Sequence, residues 1–332
     1  MKPIRWGLLS TARINRRVIP AIRASRRGEL VAVASRDINK ARQYAAEWEI
    51  PEAFGSYEAM LASDLIDAVY ISLPNHLHAE WTIKALESGK HVLCEKPFAL
   101  SVEEVDAMIA ASQRTRHVLA EGFMYLHHPQ TQLVGDFVRG GRLGEVTLIR
   151  AMFSFLLQNR PGNIRLNPDY GGGSLWDAGI YPISYAQFIF QDLPISVSGQ
   201  QWLGETGAEE SFAGQMNYSN GRSAQIASSF RVPYQTSLEI HGTQGRLALN
   251  RPFNGINEKD RSILFTSLDG ETEKLRVKSP ELYLGEIEDI QSAILDGTPV
   301  AVPLEVCRDH IQIASALYEA ARTHQTVYLD RR

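Results

Sequence analysis

Over residues 1–125 short apolar runs alternate with stretches of helical spacing. Ile4 to Leu9 reads as a strand; after a turn, Ile14, Val18, Ile19 and Ile22 recur with the period of a helix. Leu30 to Ala34 is an unbroken apolar strand, and Asp37 stands at the cap position of a helix running through Ala45. Asp67 to Ile71 and His91 to Cys94 are further buried-strand runs, with a helix from His76 to Ser88, ended by Gly89, between them. Ser101-Val102-Glu103-Glu104 is a capping box opening a helix to about Ser112, and Val118 begins one more strand. Continuous apolar strands separated by helices predict an α/β, doubly wound Rossmann fold: a parallel sheet covered on both faces. In such a fold ligands bind beyond the carboxyl ends of the strands, at the switch point.

After about residue 125 the pattern changes. Val146 to Phe155 alternates like a strand, and Gly171-Gly172-Gly173 leads into a helix from about Ser174 to Phe190. Strand-like runs follow at 195–203, 211–218, 223–230, 236–241, 245–249, 262–267 and 272–277, with hairpin signals at Asn220-Gly221 and Asp269-Gly270. Amphipathic helices carrying Leu284, Ile287, Ile290 and Ile294, then Val306, His310, Ile313, Leu317 and Ala321, close the chain. Strands with segregated helices predict an α+β domain on an open, mostly antiparallel sheet. The expected division is a cofactor-binding domain at 1–125 and a substrate-binding and oligomerisation domain at 126–332.

The 332-residue length suits two domains, each large enough for its own core. A net charge of −4 gives no general attraction to nucleic acid or acidic membranes. Cys94 and Cys307 lie far apart in apolar runs, as reduced buried thiols do. The chain shows no signal-peptide pattern and no membrane-length apolar stretch, so a cytoplasmic location is expected. His76-Leu77-His78 and His127-His128 lack a nearby thiolate or a closed ligand set, and no metal is expected.

The first turn reads Gly7-Leu8-Leu9-Ser10-Thr11-Ala12-Arg13-Ile14-Asn15. A standard dinucleotide fingerprint has glycine where Ser10, Ala12 and Asn15 stand, yet the context of strand, small-residue turn and helix start survives. The second strand ends in Ser35-Arg36, where an NAD-selective protein places a carboxylate for the ribose hydroxyl. Arg36 and Ser35 suit a 2′-phosphate instead, so NADP is the expected cofactor, with NAD possible. Glu95-Lys96-Pro97 follows directly on a strand whose carboxyl end faces the expected nicotinamide site, and it brings a lysine there. Asp177 and Tyr181 are four apart, one face of a helix.

With these residues the chain resembles the glucose-fructose oxidoreductase/inositol dehydrogenase (Gfo/Idh/MocA) family over essentially its whole length. The matching pieces are Trp6 to Ile14, Leu73-Pro74-Asn75-His76-Leu77-His78, Glu95-Lys96-Pro97, Glu121 to Tyr125 with His128-Pro129-Gln130, and Gly171 to Tyr181. The resemblance implies that Ser10, Thr11, Ala12, Arg13 and Ile14 lie along the pyrophosphate, that Leu73, Asn75 and His78 lie near the adenosine-to-nicotinamide path, and that Glu95, Lys96 and Pro97 border the nicotinamide. Asn163-Ile164-Arg165 resembles the segment that folds over the cofactor in aldose-oxidising members. Tyr181, where many members have His, together with the Ser10/Ala12 turn and Ser35-Arg36, is similar to the dihydrodiol dehydrogenase and NADP-dependent xylose dehydrogenase subgroup. Leu126 departs from the arginine usual in close relatives.

Oxidation of an alcohol needs a base as well as a hydride acceptor. Tyr181 and Lys96 are the candidates, and which of them takes the proton stays open. Asp177 is expected to hold the substrate hydroxyl or the lysine. Asp177, Tyr181, Lys96, Arg165 and Asn163 suit a sugar or polyol; Trp176, Phe153 and Tyr125 offer rings for a cyclic diol. The alternative function is a non-catalytic NAD(P)-binding sensor or regulator, which should have lost the lysine or the acid/base on the helix. The low charge on the outward strand faces predicts a homodimer or homotetramer through the second sheet.

Overall fold

The computed structural model describes residues 2–254, 261–277 and 281–330. The chain divides into two compact units: residues 1–127 with 283–308, and residues 128–282 with 309–332.

In the first unit β1 (Ile4–Leu9) leads to α1 (Asn15–Ala24), β2 (Gly28–Ala34), α2 (Ile38–Glu47), β3 (Glu52–Phe54), α3 (Tyr57–Leu61), β4 (Ala68–Ile71), α4 (His78–Glu87), β5 (His91–Glu95), α5 (Val102–Thr115) and β6 (Leu119–Gly122). The six strands are all parallel, in the order β3-β2-β1-β4-β5-β6. Strand order therefore reverses between β1 and β4, the crevice where a doubly wound sheet binds ligands. Trp6, Leu8, Leu9, Val33, Val69 and Tyr70 have no exposed surface, which is why these strands read as unbroken apolar runs. Asp37 caps α2 by accepting from the Asn39 N–H at 2.9 Å. Ser101 caps α5 by accepting from the Glu104 N–H at 3.2 Å, while the Glu104 carboxylate reaches back to the Leu100 N–H at 2.9 Å. α5 runs beyond the expected Ser112 to Thr115, because no glycine or proline stops it and Arg116 takes the left-handed position, φ 59°.

The second unit opens with α6 (Pro129–Arg139), then β7 (Val146–Ser154), α7 (Ile180–Phe190), β8 (Ser196–Leu203), β9 (Glu209–Asn217), β10 (Ser223–Ser229), β11 (Gln235–Gly242), β12 (Gly245–Asn250), β13 (Ser262–Ser267) and β14 (Thr272–Leu275). Asn220 and Gly221 turn the β9–β10 hairpin with φ 58° and 71°, the double left-handed turn that Asn-Gly favours. The chain ends with α8 (Leu284–Asp296), which belongs to the first unit, α9 (Leu304–Thr323) and β15 (Val327–Tyr328). The second sheet has the order β14-β13-β12-β11-β7-β10-β9-β8-β15 and is antiparallel except for the β7–β10 pair. One of its faces is covered: Phe137 of α6 lies 5.0 Å from Phe265 of β13, and Tyr318 of α9 lies 5.8 Å from Phe212 of β9. Gln225 and Ala227 of β10 belong to the other face, alternating with buried Ala224 and Ile226. That face also carries Arg150, Glu239 and Arg246, with Glu239 3.6 Å from Arg150 and 3.9 Å from Arg246, so it is less charge-poor than the strand pattern suggested.

Short elements escaped the pattern. β3 has three residues and no fully buried one, so neither period shows in it. α6 was not among the expected elements; it starts with Pro129 in its first turn and the His128 cap, whose Nδ1 accepts from the Gln130 N–H at 3.1 Å.

Candidate active site

In the first unit the turn after β1 replaces fingerprint glycines with a hydrogen-bonded knot. Ser10 adopts φ 136°, a region that disfavours a side chain. Its Oγ meets Ser72 Oγ at 2.9 Å and the Ser72 carbonyl at 3.2 Å, and accepts from the Ala12 N–H at 3.1 Å. Asn15 Nδ2 donates to the Ser10 carbonyl at 2.8 Å, and Asn15 Oδ1 accepts from Ser72 Oγ at 2.7 Å. Asn15, at the third fingerprint position, thus does by hydrogen bonding what glycine does by close approach. No side chain caps the start of α1, where the Asn15 and Arg17 N–H groups donate to the Ala12 and Ile14 carbonyls at 3.1 and 2.8 Å; a pyrophosphate suits the positive end of the helix dipole there. Thr11, Ala12 and Ile14 are half-buried and Arg13 is exposed.

At the end of β2, Ser35 is buried and Arg36 is exposed. The Arg36 charge and hydrogen bond act on the Tyr57 hydroxyl; burial nevertheless raises that phenol's pKa above its ordinary value. Asp37 is spent on capping α2. A cation, Arg36, rather than an uncommitted carboxylate thus follows β2.

After β4, Leu73 is buried and Asn75 begins a short helical turn. His78 has no exposed surface: one ring nitrogen lies 2.8 Å from the Leu73 carbonyl, the other 2.8 Å from the Pro97 carbonyl. The ring ties the end of β4 to the segment after β5. Burial lowers its pKa, although both carbonyls favour protonation. Glu95 and Lys96 are half-buried and Pro97 is buried, joined to Lys96 by a cis peptide bond. The Tyr70 hydroxyl donates to Glu95 Oε1, and Glu95 Oε2 accepts from the Lys96 N–H at 3.2 Å. Sequence reasoning did not single out Tyr70; within an apolar strand its ring read as core.

In the second unit the expected helix from Ser174 to Phe190 starts as a π-type turn, Leu175–Gly179, and becomes α-helical at Ile180. Glu209 anchors that start. Its carboxylate, 3% exposed, accepts from Ser174 Oγ at 2.6 Å, the Leu175 N–H at 2.8 Å and Tyr318 Oη at 3.1 Å. The triple glycine is needed here: a Cβ on Gly173 would lie 2.5 Å from Tyr318 Oη, and one on Gly172 would lie 2.6 Å from the Asn167 carbonyl. Arg165 Nε donates to Asp177 Oδ2 at 2.6 Å, and Asn163 caps the turn carrying Arg165 by accepting its N–H at 3.1 Å. The Asp177 charge, with a smaller contribution from Tyr181, raises the Arg165 pKa. Tyr181 is buried against Phe153 at 5.3 Å and Phe253 at 5.6 Å. Arg165, Asp177 and Tyr181 therefore meet in one unit.

The rings expected to serve a cyclic substrate do not stand free. Tyr125 has no exposed surface and packs on Phe123; Trp176 packs on Tyr318 at 5.4 Å; Phe153 stacks on Phe253 at 5.8 Å. Core packing has taken all three. Leu126 is likewise buried.

A model of the oxidoreductase family with an NAD-binding Rossmann fold matches residues 4–123, and a model of the GFO/IDH/MocA C-terminal domain matches residues 131–248. The chain belongs to the GFO/IDH/MocA family. It is similar to a D-xylose 1-dehydrogenase (NADP(+)) of Haloferax volcanii, 37% identical over 98% of this chain and 99% of that one. It is also similar to the trans-1,2-dihydrobenzene-1,2-diol dehydrogenase of Xenopus tropicalis, 26% identical over 98% and 99%. Among solved structures it is similar to a 3-ketoreductase from Actinomadura kijaniata in complex with NADP and TDP-benzene, with a TM-score of 0.90 and 30% identity, covering 96% of this chain and 98% of that one. As a GFO/IDH/MocA protein the chain is a nicotinamide-dependent oxidoreductase. No described helix is long and apolar enough to cross a membrane.

Proposed function

We propose that this protein is an NADP-preferring dehydrogenase or reductase acting on a CH–OH or carbonyl group of a sugar or polyol, with a cyclic diol as the less favoured substrate. The observation that carries the reading is Lys96 held at the carboxyl end of β5, the side of a parallel sheet where ligands bind. Bound there, the nicotinamide supplies hydride chemistry that no side chain can.

The residues do the rest. Ser10 to Ile14 hold the pyrophosphate at the start of α1, and Ser35 with Arg36 takes the 2′-phosphate. Leu73, Asn75 and Pro97 line the path to the nicotinamide, with His78 bracing Leu73 and Pro97 from beneath. Glu95 and Lys96 would border the ring, and Arg165 is assigned a cofactor contact from the family resemblance alone. Tyr181 and Lys96 are the two candidates for moving the hydroxyl proton, and which of them takes it stays open. Free tyrosine and free lysine titrate at pH ~10, so either group has to be shifted by its surroundings to act as a base at neutral pH. Asp177, steadied by Arg165, binds a substrate hydroxyl. The charged pair suits a polyhydroxylated substrate, and the xylose-oxidising relative favours the same class.

We further propose that the protein acts in the cytoplasm and assembles as a homodimer or homotetramer through the open face of the second sheet. The purified protein, mixed with NADP⁺ and a panel of aldoses, polyols and cyclic diols, should raise the absorbance of reduced nicotinamide with an aldose or polyol. No turnover with any member, despite NADPH binding, would leave a sensor as the better reading.

A further inference from the structure

We propose that Tyr70 is a positioning residue for the reaction: it sets the orientation and charge of the Glu95 carboxylate, which accepts the Lys96 backbone N–H. The proposal depends on the reading of Lys96 as a proton-handling group.

Tyr70 lies in the middle of β4, paired with Leu93 of β5, and has no exposed surface. The other residues of β4, Ala68, Val69 and Ile71, are apolar and equally buried. For packing alone phenylalanine would serve, since a buried hydroxyl is costly unless hydrogen-bonded. The hydroxyl has a partner: it donates to Glu95 Oε1. The second oxygen of the same carboxylate accepts from the Lys96 N–H at 3.2 Å. One carboxylate therefore links a central strand to the backbone of Lys96.

The groups that face Tyr70 are Glu95 at the end of β5, and Glu286 and Tyr283 at the start of α8. Burial, then the carboxylates, pushes the phenol well above its usual range. Tyr70 is thus always a donor and never a base. Donation to a carboxylate favours its ionised form and strengthens the bond. The bond thereby favours a negative charge next to Lys96 in the chain.

Removing the Tyr70 hydroxyl has a signed consequence. Without this donor Glu95 takes up a proton at higher pH, so turnover that needs its charge fails earlier on acidification. In Tyr70→Phe we expect kcat to fall by about tenfold, the scale of losing a hydrogen bond to a charged group, with substrate KM and cofactor Kd little changed. The acid limb of the kcat–pH profile should move upward. Glu95→Gln should lack that limb, and Tyr70→Phe placed on Glu95→Gln should add nothing further. A wild-type profile in Tyr70→Phe overturns the proposal. So do additive losses in the double variant, the mark of a merely structural tyrosine. If Tyr70→Phe does not fold, an unchanged acid limb in Glu95→Gln overturns it equally. Lys96→Ala separates the two readings. If that variant keeps turnover, the catalytic assignment fails; if it is inactive while Tyr70→Phe is unshifted, only the role of Tyr70 fails.

Discussion

Arg165 Nε lies 2.6 Å from Asp177 Oδ2, joining the loop before the triple glycine to the turn that precedes Tyr181. The arginine side chain is 42% exposed and the aspartate 19%, so solvent screens much of the attraction. For Asp177→Asn we expect a stability loss of no more than ~1 kcal/mol, as for an exposed ion pair. Substrate KM should rise far more than thermal stability falls. Steady-state kinetics beside a thermal melt test this; a large drop in Tm with an unchanged KM would make Asp177 structural.

Lys96→Ala and Tyr181→Phe should each lower kcat by roughly 10²-fold or more, the scale of losing an acid/base group. NADPH binding, followed by fluorescence titration, should persist in both. Near-normal turnover in Tyr181→Phe would remove the phenol from the mechanism.

Arg36→Ala should erase most of the preference for NADP over NAD. A charge-assisted bond to the 2′-phosphate is worth about 1.5–3 kcal/mol, roughly one to two decades of affinity. Affinities of wild type and variant for both cofactors decide it. A wild type that binds the two equally defeats the assignment.

Acid should destabilise the fold through its buried histidines. Burial lowers the pKa of His78, and it pushes His91 and His128 down to about 4, helped by the charges of His117 and Arg261 respectively. Unfolded histidine titrates near pH ~6.5. Between that pH and the folded values the unfolded chain binds more protons, so stability is complete above pH ~6.5 and declines as pH falls toward 4. Thermal melts across this window should show Tm falling on acidification. His91→Asn should flatten part of the slope; a slope identical to wild type would exclude that residue.

The open face of the second sheet gives the oligomer a specific test. Gln225 and Ala227 belong to that face, whereas Ser229 is nearly buried beside Ser211. Gln225→Glu with Ala227→Glu should halve the mass seen by light scattering, through like-charge repulsion across a two-fold contact. A single-chain mass for the unmodified protein would end the proposal.

Much of this protein was decided locally and was therefore legible along the chain. Buried parallel strands read as unbroken apolar runs because both faces of that sheet are covered, and Asp37 and Ser101 act as caps within three residues of their own positions. The turn after β1, the Glu95-Lys96-Pro97 segment and the helix carrying Tyr181 stand out along the chain because strand, turn and helix signals flank them. The tertiary structure decided what depends on distant partners. Asn15 replaces a glycine only because Ser72, 57 residues on, meets it at 2.7 Å. Tyr70 becomes more than core only where β4 lies beside β5 and brings it to Glu95. α8 joins the first unit although it follows the second in sequence; Ser25 Oγ donates to Gln291 Oε1 at 2.6 Å across that return. Periodicity records which face of an element is buried, but not which other element buries it, and hydrogen bonds between residues far apart in sequence leave no period at all.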